Sequence, residues 1–190
     1  MKNKLVVILG PTASGKTSFA VKLADRTNSE IISADSRQIY KGMDIGTGKD
    51  LLEYIINNKH IPYHLIDILD PSKDYSVFQF QNDFFNCFNL LNNKKKNIIL
   101  CGGTGLYLES VLLNYNIPNI PPNTELRNKL NKLTQKQLIK QLKQIDKKQF
   151  NPTYHITKRR LIRTIEIFKN EKQKTKQLNN SRLISNYKVF

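Results

Sequence analysis

Residues 10–17 carry the pattern that points most directly to chemistry. They read GPTASGKT and match the spacing G-x-x-x-x-G-K-[ST] of a phosphate-binding loop. The glycines let the backbone bend so that successive N–H groups point inward, and a following helix adds its positive N-terminal end. Lys16 can reach a distal phosphate, and the Thr17 hydroxyl can hold a Mg²⁺ cofactor that bridges two phosphate oxygens. The predicted phosphate-binding residues are Gly10, Pro11, Thr12, Ala13, Ser14, Gly15, Lys16 and Thr17.

The segments around this loop have the order expected of an α/β fold. An apolar run at 5–9 predicts a buried strand directly before the loop, and 17–26 predicts the helix after it. Further strands are predicted at 30–34, which ends at Asp35, and at 97–101, which ends in a glycine-rich turn. Functional residues of open α/β sheets lie at the carboxyl ends of strands, so Asp35 should face the phosphate site. We predict a P-loop NTPase-like parallel sheet flanked by helices, with a small basic helical segment.

The rest of the chain suggests a division into three parts. Residues 64–69 read as another apolar segment, and 75–91 as an amphipathic helix. Three prolines between residues 116 and 123 prevent a regular element there and suggest a domain boundary. Helical patterns follow at 124–143 and 158–168. The predicted parts are a catalytic α/β core at 1–116, a helical basic segment at 117–168 and a polar Lys-rich tail at 169–190.

The positive charge of the chain is concentrated in its last third. The formal net charge is +16 at pH 7. Residues 1–124 hold 13 Lys and Arg against 11 Asp and Glu, whereas residues 125–190 hold 18 against 4. A basic segment beside a nearly neutral one is typical of proteins that bind a large polyanion such as a nucleic acid. A general bias of the chain towards lysine and asparagine is the alternative explanation.

The two cysteines and the hydropathy pattern indicate no special compartment. Cys87 and Cys101 have neither a metal-binding nor a disulfide-framework spacing, so we expect buried thiols. No apolar run approaches the roughly 20 residues that span a bilayer, and the N-terminus leads into a short strand rather than a signal sequence. We expect a cytoplasmic protein that does not contact a membrane and acts as a monomer.

Five motifs in a fixed order make the chain resemble a known family. They are GPTASGKT at 10–17, ISADSRQIYKGMDIGTGK at 32–49, HLIDILDP at 64–71, GGTGLY at 102–107 and RRLIRTIEI at 159–167. Together they resemble the tRNA dimethylallyltransferases, also called tRNA isopentenyltransferases of the IPP transferase family. The resemblance runs from Leu5 to about Phe168.

The resemblance implies a reaction and roles for the residues of the first two motifs. Enzymes of that family transfer a dimethylallyl group from dimethylallyl diphosphate to the exocyclic amine of the adenosine just 3′ of the anticodon. The phosphate loop would then hold the leaving diphosphate, with Lys16, Thr17 and Mg²⁺ supplying positive charge. Asp35 would accept the proton of the amine, while Ser36, Arg37 and Gln38 would hold the flipped-out base. From the residues alone, a helix cap or an outer Mg²⁺ contact is an equal alternative for Asp35.

The resemblance also implies a tRNA surface. Thr104 would bring a hydroxyl to the reacting nucleotide, and a plain strand-to-helix turn is its alternative. Arg127 matches a family arginine near the anticodon stem-loop. On a helix, Arg163 lies three and four residues from its two preceding arginines, so the three can share one face. A solvated charged face is the alternative there. The segment expected to contact tRNA is Arg159, Arg160, Leu161, Ile162 and Arg163.

The resemblance leaves several functional alternatives open. Family members usually continue well beyond this length, so the sequence fits a reduced enzyme, a fragment or a chain completed by another one. Prenylation of free AMP, ADP or ATP is an alternative reaction, although the basic segment favours tRNA over a free nucleotide. A nucleotide kinase would need an arginine-rich lid, and the glycine-rich turn after residue 101 argues against it. An RNA-binding remnant without turnover is the non-enzymatic alternative.

Overall fold

The computed structural model describes residues 5–145, 151–152, 154, 157–171 and 187–189. The chain divides into two compact units: Met1–Ile117 together with Ser181–Phe190, and Pro118–Asn180. Within the described residues, no helix combines the length and the apolar character needed to cross a membrane.

The first unit is built on a parallel sheet of five strands. In chain order its strands are β1 (Leu5–Leu9), β2 (Ser29–Ser33), β5 (Tyr63–His64), β6 (Asn97–Gly102) and β7 (Tyr187–Val189). Their spatial order is β5-β2-β6-β1-β7, so the two strands that carry the functional motifs, β1 and β2, flank the central β6. The α/β class predicted from the sequence is confirmed.

Helices cover both faces of this sheet. They are α1 (Lys16–Thr27), α2 (Val77–Asn93) and α3 (Gly105–Leu112). Alternate residues of β6 enter two separate cores: Ile98 and Leu100 pack in the core with α2 and α3, while Ile99 packs in the core with α1. A strand buried on both faces needs an unbroken apolar run, which explains the composition of β6.

Besides β5, three short elements lie between β2 and α2 in the sequence. A 3₁₀ helix at Leu51–Tyr54 leads into the antiparallel pair β3 (Ile55–Ile56) and β4 (Lys59–His60). The apolar segment at 64–69 is extended only at its start, in β5, because Leu65 and Asp67 take left-handed φ angles of 60° and 54° that interrupt the extended backbone. Beyond this break, an isolated parallel bridge between Tyr40 and Leu69 joins the segments that follow β2 and β5.

The edge strand β7 differs from what the sequence predicted. Tyr187 pairs with Leu5 and Val189 with Val7, in parallel. A polar tail was expected for 169–190, yet its first residues continue a helix to Glu171 and its last described residues form this strand. A three-residue strand carries too short a pattern to be recognised in a sequence. Its formation depends on pairing with β1. Residues 172–186 of the expected tail lie outside the described part of the chain.

The second unit contains three described helices around a small apolar core. They are α4 (Thr124–Asn131), α5 (Gln135–Ile145) and α6 (Lys158–Glu171). The helical pattern expected across 124–143 is interrupted, because Thr134 begins a new helix: its hydroxyl accepts from the N–H of Gln137, whose side chain accepts from the N–H of Thr134. The core of this unit consists of Leu130, Leu138, Leu142, Leu161, Ile162 and Ile165.

Candidate active site

The phosphate-loop motif forms the turn between β1 and α1. Gly15 precedes the first residue of α1 with a φ of 76°, a conformation that a side chain would strain. The Ser14 hydroxyl donates to the carbonyl oxygen of Pro11 over 2.9 Å. The ammonium of Lys16 also donates to Pro11 O, so the charged end of this side chain lies against the loop itself. The loop therefore places a helix N-terminus, a hydroxyl and an ammonium at one end of the sheet.

This loop opens onto a cavity of about 500 Å³ in the first unit. Four carboxylates line the cavity, from Asp35, Asp44, Asp50 and Glu53, and two lysines accompany them. The remaining lining comes from the phosphate loop (12–17), a second glycine-rich loop (46–50), Gln38, Tyr54, Cys101 and Gly102. The cavity is thus rich in oxygen atoms and in backbone groups.

Asp35 lies at the carboxyl end of β2, as predicted, and lines this cavity. Its Oδ1 accepts from the N–H of Arg37 over 2.9 Å, which fixes the turn that follows the strand. The neighbouring Thr104 stabilises the same turn, since its Oγ1 accepts from the N–H of Ser36 over 3.0 Å. The N–H of Thr104 donates to the carbonyl oxygen of Ala34 over 3.1 Å. Two motifs far apart in sequence are therefore joined directly beside Asp35.

Close backbone contact explains the two glycines before Thr104. A Cβ atom on Gly102 would lie only 2.3 Å from the carbonyl oxygen of Ala34. A Cβ on Gly103 would lie 3.2 Å from the carbonyl oxygen of Gly10, in the phosphate loop. The small size of glycine is therefore what the contacts at these two positions require.

Of the residues following Asp35, Gln38 is held by hydrogen bonds at both ends of its amide. Ser36 and Arg37 do not line the cavity, whereas Gln38 does but is only 9% exposed. Its amide oxygen accepts from the Ser33 hydroxyl over 3.0 Å, and its amide nitrogen donates to the carbonyl oxygen of Gly48 over 3.1 Å. Gln38 therefore links β2 to the glycine-rich loop, and the predicted contact with a base stays a prediction.

Lys49 is the main residue of the cavity that sequence reasoning missed. Its side chain is 1% exposed, and its ammonium donates to Asp67, to Asp44 (2.6 Å) and to the carbonyl oxygen of Tyr40 (3.0 Å). Burial lowers the pKa of Lys49, but the hydrogen bonds and charges of the two aspartates outweigh it and hold the pKa above its usual value. The sequence signal that could have pointed to Lys49 is the Asp-Ile-Gly-Thr-Gly-Lys run of the second motif, which ends at this residue.

Cys101 lies in the wall of the cavity and is 6% exposed. Burial raises the pKa of its thiol to about 11, with Asp35 and Glu53 acting in the same direction and Lys16 opposing them. A thiol with such a pKa stays protonated near neutral pH and is a poor nucleophile. The structure thus places Cys101 as a packing residue, as the sequence analysis expected.

In the second unit, two of the predicted tRNA-contacting arginines meet at one carboxylate. Glu166 of α6 is fully buried. Arg127 donates to both of its oxygens, at 2.9 Å from Nε and 2.8 Å from Nη2. Arg163 donates to the same carboxylate over 2.5 Å and to the carbonyl oxygen of Ile120 over 2.8 Å. Burial raises the pKa of Glu166, but the bonds from Arg127, the N–H of Asn123 and Arg163 outweigh it and hold the pKa below its usual value.

The remaining residues of the arginine segment divide into exposed and buried ones. Arg159 and Arg160 are exposed on the first turn of α6, and Arg160 also lies over the Tyr154 ring at 5.3 Å from its centroid. Leu161 and Ile162 are 0% and 5% exposed and pack in the core of the unit. The expectation that these two side chains contact tRNA is corrected, because the apolar face of α6 needs them for packing.

Comparison with known proteins agrees with the motifs. The sequence model of the IPP transferase family matches residues 38–190, and that of the isopentenyl transferases matches residues 3–63. The chain belongs to the IPP transferase family. Among curated members of related sequence, tRNA dimethylallyltransferase 1 of Azobacteroides pseudotrichonymphae is 54% identical over 164 residues, which cover 86% of this chain and 53% of the relative. A second such member, tRNA dimethylallyltransferase 2 of Bacteroides fragilis, is 54% identical over 163 residues, with the same shares of both chains.

Solved structures of IPP transferases share this fold. The full-length tRNA isopentenylpyrophosphate transferase of Bacillus halodurans matches with a TM-score of 0.57 and 40% identity, over 88% of this chain and 56% of that one. A eukaryotic dimethylallyltransferase acting on tRNA matches with a TM-score of 0.73 over 98% of this chain and 47% of that one, but at 24% identity it supports the fold alone. This IPP transferase chain spans about half the length of the curated relatives it matches.

Proposed function

We propose that the chain transfers a dimethylallyl group from dimethylallyl diphosphate to the exocyclic amine of the adenosine 3′-adjacent to the anticodon of tRNA. The observation that carries this proposal is the placement of Asp35 in the same cavity as the phosphate loop of an IPP transferase fold. A group that can accept a proton thus lies beside a site suited to a diphosphate. The curated relatives named above are tRNA dimethylallyltransferases, which supports this choice of reaction.

The phosphate loop would bind the diphosphate of the donor. Backbone N–H groups at the start of α1 favour an anion. The Lys16 ammonium, which bonds to the Pro11 carbonyl oxygen in this structure, would bind a phosphate oxygen of the donor instead. As the bond between the allylic carbon and oxygen breaks, negative charge develops on the leaving diphosphate. Positive groups that are already in place stabilise that charge more than they stabilise the bound donor.

A magnesium ion fits the oxygen donors of this cavity. Mg²⁺ prefers oxygen ligands and keeps part of its hydration, usually with phosphate oxygens completing its shell. Among the described residues no group of three His, Cys, Asp or Glu side chains could hold a metal ion unaided. We therefore propose that the Thr17 hydroxyl and the diphosphate hold Mg²⁺ together, with water completing its shell. The bound ion would supply further positive charge to the leaving group.

Asp35 would act as the general base. The adenine amine is a weak nucleophile because its lone pair is delocalised into the ring, so removal of its proton during attack lowers the barrier. A carbon–nitrogen bond forms as the carbon–oxygen bond breaks, and the proton passes to the Asp35 carboxylate. Thr104 and the turn at 35–37 would hold this carboxylate in position through the hydrogen bonds described above.

The second unit would supply the contacts to the anticodon stem-loop. Its exposed Arg159 and Arg160 suit phosphates and unpaired bases, the usual targets in single-stranded RNA loops. The excess of basic residues in 125–190 supports a polyanionic substrate over a free nucleotide. Action as a monomer in the cytoplasm is part of the same proposal.

Transfer of radiolabel from dimethylallyl diphosphate tests this function. The chain is incubated with Mg²⁺ and either an unmodified anticodon stem-loop RNA with adenosine 3′ of the anticodon, or AMP. We expect label on the RNA, lowered by about 10²–10⁴-fold in Asp35→Asn, as for loss of a general base. Asp50→Asn is the matched control, since Asp50 lines the same cavity and caps the 3₁₀ helix, a role that asparagine retains.

Each other outcome would contradict part of the proposal. Label on AMP alone would identify an adenylate prenyltransferase. Equal losses of label transfer in Asp35→Asn and Asp50→Asn would show that Asp35 is not the general base. Binding of the RNA without any label transfer would leave a tRNA-binding protein without turnover.

A further inference from the structure

The buried carboxylate of Glu166 has more positive charge around it than its own neutralisation requires. Its oxygens together accept four hydrogen bonds: Oε1 from Asn123 N (2.6 Å) and Arg127 Nε, and Oε2 from Arg127 Nη2 and Arg163 Nη1. One guanidinium would balance the carboxylate charge. The second guanidinium leaves the cluster of Glu166, Arg127 and Arg163, which we call the Glu166 cluster, with a formal charge of +1.

Both guanidinium groups of the Glu166 cluster reach the surface. The side chains of Arg127 and Arg163 are 37% and 33% exposed. Within the described part of the chain, Nη1 of Arg127 and Nε of Arg163 have no acceptor. Each guanidinium therefore keeps donors that a ligand can use, while its other donors bind the protein.

The Glu166 cluster also holds both side chains in one conformation. Arg127 is bound through two parallel hydrogen bonds to one carboxylate, the strongest geometry available to arginine. Arg163 is bound at both terminal nitrogens, by Glu166 and by the carbonyl oxygen of Ile120. Long side chains usually lose conformational freedom when they bind a ligand, and this cost is smaller where the protein has already fixed them.

We propose that Glu166 is a positioning residue that holds Arg127 and Arg163 as a joint binding site for one phosphate group of an RNA backbone. This inference rests on the proposed function for its choice of RNA as the ligand. Glu166 itself is buried and does not touch the RNA, so it acts through the two arginines. Two planar donors of fixed position suit the oxygens of a phosphodiester better than a mobile lysine would.

The substitution Glu166→Gln separates a positioning role from a charge effect, because the two predict opposite changes in RNA affinity. It removes one negative charge, so simple attraction predicts tighter RNA binding. A glutamine at position 166, however, would place an amide N–H₂ where a carboxylate oxygen now accepts hydrogen bonds. Because the N–H₂ group cannot accept them, at least one arginine would lose its partner. We expect the affinity for a tRNA anticodon stem-loop RNA to fall roughly tenfold, as for two side chains that must be ordered on binding.

Glu125→Gln is the matched control in the same unit. Glu125 binds Lys129 on the exposed face of α4 over 2.6 Å, so this change also removes one carboxylate from a basic partner. Glu125 does not hold Arg127 or Arg163, so the RNA affinity of Glu125→Gln should stay equal or rise slightly. Arg127→Lys and Arg163→Lys form a second test, since each keeps the charge and loses the planar donors, and each should weaken binding.

Affinity is measured by titration of the full chain with the labelled stem-loop RNA over a range of salt concentrations, with folding checked by circular dichroism. Weaker binding by folded Glu166→Gln and by both lysine variants, but not by Glu125→Gln, would support the proposal. Unchanged or tighter binding by folded Glu166→Gln would overturn it and leave the cluster a structural contact. If Glu166→Gln does not fold, the two lysine variants decide the question, and unchanged binding in both overturns the proposal.

This assay is independent of prenyl transfer. A chain that transfers label to RNA but binds it equally well in all variants keeps the proposed function and loses this inference. A chain whose variants weaken RNA binding, but which transfers no label, keeps the inference and loses the proposed reaction. Absence of RNA binding by the unaltered chain would overturn the inference, while donor binding at the phosphate loop stays testable by itself.

Discussion

Replacing Gly102 with alanine should test how closely β2 and β6 approach beside Asp35. The new Cβ would lie 2.3 Å from the carbonyl oxygen of Ala34 and 2.4 Å from its carbonyl carbon, and both are backbone atoms. Ordinary van der Waals contact begins near 3.4 Å, so the strand ends must separate by about 1.1 Å. A backbone cannot move aside as the end of a flexible side chain can, so the whole turn must shift.

The cost of this shift can be worked from the neighbouring hydrogen bonds. The bond from Thr104 N to Ala34 O is 3.1 Å long and would exceed hydrogen-bond length after such a displacement. Losing it costs about 0.5–1.5 kcal/mol, and forcing a methyl group into a packed site costs about 1–3 kcal/mol. We expect Gly102→Ala to destabilise the chain by about 3 kcal/mol. At about 2–4 °C per kcal/mol for a domain of this size, the melting temperature should fall by about 6–12 °C.

The same shift would move Asp35 relative to the phosphate loop. A misplacement of about 1 Å can lower the rate of a reaction by about 10²-fold, so prenyl transfer should fall by about that factor in the folded variant. Thermal unfolding followed by circular dichroism, together with the radiolabel assay at a temperature where the variant is folded, measures both effects.

Two other glycines of the same turn provide graded controls. A Cβ on Gly103 would meet only Gly10 O at 3.2 Å, and a Cβ on Gly105 would meet nothing within 4 Å. The expected order of destabilisation is therefore Gly102→Ala, then Gly103→Ala, then Gly105→Ala close to zero. A melting temperature of Gly102→Ala equal to that of Gly105→Ala would refute the reasoning. Equal large losses in all three would point to backbone flexibility, not close contact, as the reason for the glycines.

Two further predictions concern buried charges. Lys49→Met should destabilise the first unit by about 2 kcal/mol, since it leaves the carboxylates of Asp44 and Asp67 without their shared partner although solvent screens part of the loss. Denaturant unfolding measures this, and adding Asp67→Asn should recover part of the loss; no recovery would contradict the pairing. The folded pKa of Glu166 is lower than its unfolded value, so its contribution to stability is present above the unfolded value of about 4.5 and is lost as the pH falls through the folded pKa. Chemical unfolding from pH 7 to pH 3 measures the stability difference between the unaltered chain and Glu166→Gln. This difference should shrink in acid, and a constant difference would contradict the lowered pKa of Glu166.

Local patterns allowed much of the first unit to be predicted. The phosphate loop is contiguous, and its conformation depends on its own glycines and on the helix that follows, so eight residues sufficed to place it. The apolar run at 97–101 predicted the strand β6, and the structure shows that this run is buried in two cores. Asp35 could be placed in the cavity because a parallel sheet brings the carboxyl ends of its strands to one edge.

Positions that depend on distant partners were not predictable in the same way. In the sequence, Lys49 reads as one more lysine in a polar loop, and only the fold brings its ammonium to Asp67, which follows β5 in the chain. The strand β7 exists only because β1 presents a free edge.

The sequence by itself therefore determined the motifs, the helices and strands with long patterns, and the family, because these depend on neighbouring residues. Only the tertiary structure decided how individual side chains are used. Gln38 binds a loop carbonyl, Leu161 and Ile162 pack in a core, and Arg127 reaches a carboxylate 39 residues away. Such contacts depend on which atoms the fold brings within about 3 Å, and residue type or spacing carries no information about that distance.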